Sequence, residues 1–370
     1  MIILDENGKL SSKSIVHKGN VKRITCAMMK AAEGKMITVG YIGGSITEGA
    51  GASSWGKNYA SVTTHWWKNK FPEVDIRCIN AGIGATGSIL GLHRVYDDLL
   101  RHKPDFVIVE YAVNDEDSDI TAKCYESLVR RILKSENRPG VMLMFTTRND
   151  GSNVQELQKK TGLHYDLPMA SFRDAVWPEI SEGRIKWEDV EADVVHPNDN
   201  GHYLMSKFIT DRLEEIYKNL STYADRDFGE IKEAIYSQEY MNASILNNTL
   251  IEPVTYGSWC TAVQTPQFRA GWAANGGFDP LIFEVEGKNI GIIYKKYNTC
   301  DMGRVEVRID DQTLKLLDGH FEADWGGYAH GEILAENLSK GKHKVEIKLC
   351  KDSHPDSKGR EFVICGFMVS

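Results

Sequence analysis

Four times between residues 37 and 162 a short apolar run gives way to a polar or glycine-bearing turn and then to a segment with helical spacing, and a fifth run at 168–170 is followed by residues 172–182, which lead into a loop. The runs lie at 37–42, 74–79, 105–111, 141–146 and 168–170. The valines, isoleucines and aromatics of the first four suit strands buried on both faces of a parallel sheet. Helices are predicted over 20–32, 55–71, 90–101, 124–134, 154–162 and 201–218, where apolar residues recur every three or four positions. Strand and helix alternating through short turns predicts an α/β layer with helices on both sides of the sheet.

The first run carries the most information. It reads MITVGYIGGSITEGAG over residues 36–51, and its apolar stretch breaks at Gly43-Gly44, with Ser45 next. Adjacent glycines let backbone turn sharply and approach a ligand closely. A serine just past the carboxyl end of a buried strand sits where open α/β sheets bind their ligands. The plainer reading is a turn whose serine caps the following helix. The stretch lacks the lysine of a phosphate-binding loop and the spacing of a dinucleotide site.

After about residue 220 the pattern changes. Residues 221–248 are polar, and short alternating runs then appear at 282–285, 290–297, 304–309, 313–317, 344–349 and 362–369. With turns between them and no helical stretches, they predict an all-β sandwich. The expected layout is an N-terminal extension over 1–20, whose apolar Ile2-Ile3-Leu4 would be an extra strand packing on another domain. An α/β domain would come next over 21–220, then a linker over 221–248 and the sandwich over 249–370. A chain of 370 residues fits two cores better than one.

A formal net charge of −8 argues against non-specific nucleic-acid binding, which needs basic surface. No apolar run reaches the roughly eighteen residues of a membrane span, so no membrane partner is expected. The first residues lack the order of a secretory signal. Seven cysteines, with no CxxC pair, fit a reducing cytoplasm better than a disulfide framework.

Four turns or loops offer a hydroxyl, two glycine-rich turns with N–H groups, an amide side chain, and a histidine three residues after an aspartate. Acyl transfer needs this set: a serine activated by imidazole, a carboxylate to hold the ring, and donors aimed at the developing oxyanion. In sequence order the pieces are GGSIT at 43–47, NAGIGATGS at 80–88, VND at 113–115 and DVVH at 193–196. They resemble the four blocks of the SGNH (GDSL-like) hydrolases, over roughly half the chain. The resemblance implies a flavodoxin-like parallel sheet flanked by helices, with a jelly-roll-like sandwich appended here. It implies Ser45 as nucleophile, His196 as general base and Asp193 as the residue orienting the imidazole. It places the oxyanion hole at the Ser45 N–H, an N–H in the Gly84-Ala85 turn and the Asn114 side chain. Two departures stand out. Gly44 occupies a position that is often aspartate in the family, and Ala85 falls where the donor is usually glycine, leaving Gly84 and Ala85 as alternatives.

The resemblance further implies a serine esterase acting through an acyl-enzyme, with a small acylated substrate. An O-acetylated oligosaccharide leads, with no cofactor and no metal; whether the chain forms a homo-oligomer is left open. A lipid or thioester acylhydrolase is the alternative within the enzyme class, and a non-catalytic carbohydrate-binding protein the alternative outside it. His202 reads as a residue that caps or packs the last helix. His65, His93 and His164 have no partners at metal-ligand spacing. Asp115 reads as an electrostatic aid or a turn stabiliser. In the sandwich, Trp259, Trp272, Phe278, Trp325 and Tyr328 are core aromatics or, on a loop at 324–328, a platform for stacking a sugar ring.

Overall fold

The computed structural model describes residues 8–224, 227–262, 268, 271–274 and 276–370. The chain divides into two compact units, Met1–Gln238 and Glu239–Ser370.

The first unit is built on strands β1 (Ile15–His17), β2 (Ile37–Gly43), β3 (Ile76–Gly82), β4 (Phe106–Glu110), β5 (Gly140–Phe145) and β6 (Met169–Ser171). Their spatial order is β1-β6-β5-β4-β2-β3. All neighbours run parallel except β1, which is antiparallel to β6. Every residue of β2, β4 and β5 is buried, as strands covered by helices on both faces must be. Leaving β1 aside, the order is that of flavodoxin-like sheets, and the strand order reverses between β2 and β4. In register, Gly43 of β2 faces Gly82 of β3 on one side and Glu110 of β4 on the other. The loops after three strands therefore leave the sheet at one level, around the reversal point.

Local chemistry sets the helix ends. The predicted helix over 55–71 is broken in two, a turn of 3-10 helix at Trp55–Lys57 and an α-helix at Tyr59–Lys70. Asn58 between them is extended, and its side chain accepts the Ser61 N–H, so it starts a helix instead of continuing one. Residues 172–182, expected to lead into a loop, are mostly helical (Phe172–Ser181), with Ser171 as the cap. Residues 9–17 form a helix and the edge strand β1 of the first unit's own sheet. The Ile2-Ile3-Leu4 run lies outside the described residues. No helix among those residues is long and apolar enough to cross a membrane.

The second unit is a β-sandwich. Its strands are β7 (Ser244–Leu246), β8 (Trp259–Ala262), β9 (Gly271–Ala274), β10 (Leu281–Glu286), β11 (Ile290–Tyr297), β12 (Arg304–Ile309), β13 (Thr313–Asp318), β14 (Gly327–Ala335), β15 (Lys342–Leu349) and β16 (Val363–Val369). One sheet has the order β10-β15-β12-β13, and the other β14-β11-β16-β9-β8, with β7 also paired to β16. Burial alternates along β15, as a sheet with one face on the core requires. The core holds Trp259, Trp272, Phe283, Val305, Ile347 and Phe367. Residues 221–248, expected as a linker, include a short helix (Leu220–Ala224 overlaps their start) and β7.

Candidate active site

At the end of β2 the chain turns through Gly44 (φ −88°, ψ −147°) into a one-turn helix, Ser45–Glu48, which Gly49 closes at φ 117°. Neither glycine of the turn has room for a side chain. A Cβ on Gly43 would run into Thr47 Oγ1 and the Glu110 carbonyl, and one on Gly44 into the Asn114 side-chain amide. Thr47 anchors the helix from beneath: its hydroxyl meets the Tyr59 hydroxyl at 2.8 Å and donates to Glu110 Oε2 at 3.2 Å. Glu110 is fully buried, and desolvation pushes its carboxyl up to about 7 despite hydrogen bonds from Thr146 and Thr47.

The histidine and its carboxylate arrive together on a loop between helices. His196 Nε2 lies 2.8 Å from Ser45 Oγ, and its Nδ1 lies 2.7 Å from Asp193 Oδ2. The other oxygen, Asp193 Oδ1, accepts the N–H groups of Val195 and His196, each at 2.8 Å. One carboxylate thus shapes the turn and grips the ring. Burial alone would raise the Asp193 carboxyl, but the imidazole and the two N–H bonds outweigh it and hold it below the usual aspartate value. The loop is tied down by Trp187 Nε1, which donates to the Asp193 carbonyl at 2.6 Å, and by the Asn149 N–H, which donates to the Val194 carbonyl at 3.0 Å.

The turn after β3 faces Ser45 from the other side. The Gly84 N–H donates to Glu48 Oε2 at 2.8 Å. Ala85 comes next, in the left-handed region at φ 55°. The Ser88 N–H donates to Asp115 Oδ1 at 2.6 Å, and Asp115 Oδ2 accepts from Gln158 at 2.8 Å. Asp115 thereby caps the helix Ser88–Asp98, which supports its turn-stabilising reading, and burial lifts its carboxyl to about 6. Among the described residues the Ser45 and Ala85 N–H groups have no protein acceptor. Asn114 Oδ1 is buried without a hydrogen-bond partner among those residues, which leaves Nδ2 as the accessible end of the amide.

Ser45, His196, Asp193, Gly84, Ala85 and Asn114 all belong to this arrangement. Sequence reasoning passed over its supports. Arg94 is buried and donates to the Gly43 carbonyl at 3.1 Å and the Ala81 carbonyl at 2.7 Å, joining the ends of β2 and β3. A charged residue among Leu90, Leu92 and Val95 on the buried side of its helix was the available signal. Glu48 and Trp187 left none, because their partners are not read from local spacing.

Other histidines stand apart. His202 is buried, with Nε2 3.0 Å from the Ala50 carbonyl and Nδ1 accepting the Tyr59 N–H at 3.3 Å, a packing role. His93 is buried against its own helix, Nδ1 lying 2.7 Å from the Ile89 carbonyl, and desolvation pulls its imidazole down to about 4. In the sandwich, His320, His354 and Asp356 bring ligand atoms within 4.8 Å of one another, with the two rings stacked at 4.5 Å. Trp259 and Trp272 are core residues, whereas Trp325 is 49% exposed. Trp325 packs with Phe321 at 5.0 Å and Tyr328 at 5.4 Å.

The GDSL-like lipase/acylhydrolase family profile matches residues 41–204, the span that contains every residue of the site. No curated protein matches the chain. Among solved structures, a two-domain esterase active on acetylated mannans, co-crystallised with mannopentaose, has a TM-score of 0.89 and 30% identity over 97% of each chain. A second crystal structure of a two-domain esterase active on acetylated mannans has a TM-score of 0.86 and 30% identity, covering 97% of this chain and 98% of that one. With this likeness along nearly its whole length, the chain belongs to the GDSL-like lipase/acylhydrolase (SGNH) family and is a carboxylic ester hydrolase.

Proposed function

We propose that the protein removes O-acetyl groups from carbohydrate by serine acyl transfer. The 2.8 Å approach of His196 Nε2 to Ser45 Oγ carries the reading. Ser45 Oγ attacks the acetyl carbonyl carbon while its proton passes to His196 Nε2, and Asp193 stabilises the imidazolium that results. Negative charge forms on the carbonyl oxygen, where the N–H groups of Ser45 and Ala85 and the Asn114 Nδ2 are the donors. Gly84 is set aside as a donor because its N–H already serves Glu48. The bond from carbon to sugar oxygen then breaks, His196 returns its proton to that oxygen, and the sugar departs. Water, deprotonated by His196, attacks the acetyl carbon; the bond to Ser45 Oγ breaks, His196 returns the proton to Oγ, and acetic acid leaves, ionising to acetate.

The substrate class rests on the mannan esterases at 30% identity, and the exposed Trp325, packed with Phe321 and Tyr328, gives the second unit rings on which a sugar can stack. The seven free cysteines favour a reducing compartment, hence cytoplasmic action on imported oligosaccharides.

The test is hydrolysis of p-nitrophenyl acetate by wild type and Ser45→Ala. Wild type is expected to turn over and the variant to lose activity by at least about 10³-fold. Equal rates would end the esterase mechanism. Acetylated manno-oligosaccharides should lose about 42 Da per acetyl group removed, read by mass spectrometry. Faster cleavage of long-chain p-nitrophenyl esters than of the acetate would point instead to a lipid acylhydrolase.

A further inference from the structure

Glu48 is the last residue of the one-turn helix that begins with Ser45. Its carboxylate reaches across to the turn after β3 and takes the Gly84 N–H at 2.8 Å. The three groups are packed in series: a Cβ on Gly84 would come to 3.0 Å from Glu48 Oε2 and 3.8 Å from the Ser45 Cβ. Below them, a Cβ on Gly82 would overlap the Glu48 backbone. Asn80 Nδ2 donates to the Thr47 carbonyl at 2.7 Å and the Ile83 N–H to the Gly43 carbonyl at 3.2 Å, so the base of the turn is fixed to the Ser45 helix and its strand, and Glu48 is the side chain that holds the peptide next to Ala85.

The next residue, Ala85, makes the contact more than a cap. It sits at φ 55°, a region that costs a non-glycine residue about 1–2 kcal/mol. Such a conformation persists only where its surroundings over-determine it. Here the N–H before it is held by Glu48 and the Ser88 N–H beyond it by Asp115, at 2.8 and 2.6 Å. The first clamp comes from the helix of the nucleophile and the second from the residue beside Asn114. The turn is therefore referenced to both of the other groups that would face the oxyanion.

We propose that Glu48 is a positioning residue for the oxyanion hole: by holding the Gly84 peptide against the Ser45 helix, it aims the Ala85 N–H at the oxygen that becomes negative. The proposal rests on the assignment of Ser45 as nucleophile. A carboxylate near a developing oxyanion is an electrostatic cost, so what Glu48 contributes is geometry. Glutamine, which keeps an acceptor oxygen at the same reach, should serve nearly as well, whereas alanine and the shorter aspartate should not.

The test compares wild type, Ser45→Ala, Glu48→Ala, Glu48→Asp and Glu48→Gln with p-nitrophenyl acetate. It also compares their inhibition by methylboronic acid. When Ser45 Oγ adds to boron and the serine proton passes to His196, the boron becomes tetrahedral and anionic and places an oxygen in the hole. Glu48→Ala and Glu48→Asp are expected to lose about 10- to 100-fold in kcat, with KM within about twofold. Their boronate inhibition constants should rise in parallel, while Glu48→Gln stays within about threefold of wild type on both measures. A merely misfolded fraction would lower kcat and leave the inhibition constant unmoved, and that result would overturn the proposal. Wild-type kcat in Glu48→Asp would also overturn it, even if Glu48→Ala fails to fold. So would equal damage from glutamine and alanine. Loss of this inference alone would show as an active wild type, an inert Ser45→Ala and unaffected Glu48 variants. An inert wild type would bring down the assignment of Ser45 as well.

Discussion

At Gly44, where the resemblance leads to an expectation of aspartate, the neighbouring Asn114 leaves no room for a side chain in its present position. The Asn114 amide lies so close to the Gly44 Cα that an added Cβ would overlap Oδ1 and sit 2.7 Å from Cγ and 2.9 Å from Nδ2. The Gly44 backbone angles are not left-handed, so alanine escapes the positive-φ penalty there and acts chiefly by pushing. Gly44→Ala should therefore fold normally and turn Asn114 out of line. The expected loss is about 10- to 100-fold in kcat for p-nitrophenyl acetate, with little change in thermal midpoint. An unchanged kcat would show that Asn114 does not contribute to the transition state.

At the scale of elements, the five parallel strands of the first unit and most of its longer helices are legible because each obeys its local period, whereas the helix and edge strand over 9–17 and the helix Phe172–Ser181 are not. The glycine turns mark where the sheet's loops begin. Ser45, Asn114 and the Asp193–His196 pair can be read because each motif is contiguous in sequence. The choice between Gly84 and Ala85 cannot be read, since it depends on Glu48 claiming one N–H from thirty-six residues away. The split at Asn58 also escapes the periodicity, which sees apolar spacing and not a cap. In the sandwich, the start of β14 reads as a loop from its glycines and the adjoining Asp324-Trp325-Gly326. Pairing with β11 along eight positions makes it a strand, and Gly327 is needed because any side chain there would strike the Tyr297 ring. Strands β7, β8 and β9 are three or four residues long and carry too few alternations to register.

For the molecule as a whole, buried acids make stability depend on pH. Burial pushes the Glu191 carboxyl up to about 9, with the nearby Asp193 charge adding to the effect, and its Oε2 has no partner among the described residues. A carboxyl raised in the folded state stabilises fully below its unfolded value of about 4.5, and that contribution is lost as pH climbs through about 9. Glutamine is neutral throughout. The thermal midpoint of Glu191→Gln minus that of wild type should then rise steadily between about pH 5 and pH 9. A difference that stays flat over that range would mean Glu191 ionises freely when folded.

The strap that carries Asp193 and His196 belongs to no strand of the sheet. It closes on itself through the Glu191–Pro197 bridge and is fastened by the indole of Trp187 and the amide of Asn149. Asp193 is 51% exposed, so water competes for the bonds that order the strap, whereas the strand that leads to Ser45 is sealed in the core. Denaturation should accordingly proceed in two acts. In rising urea, esterase activity is expected to fade at a concentration where far-ultraviolet circular dichroism still reports an intact sheet, and coincident curves would show the strap and the sheet to be one cooperative body.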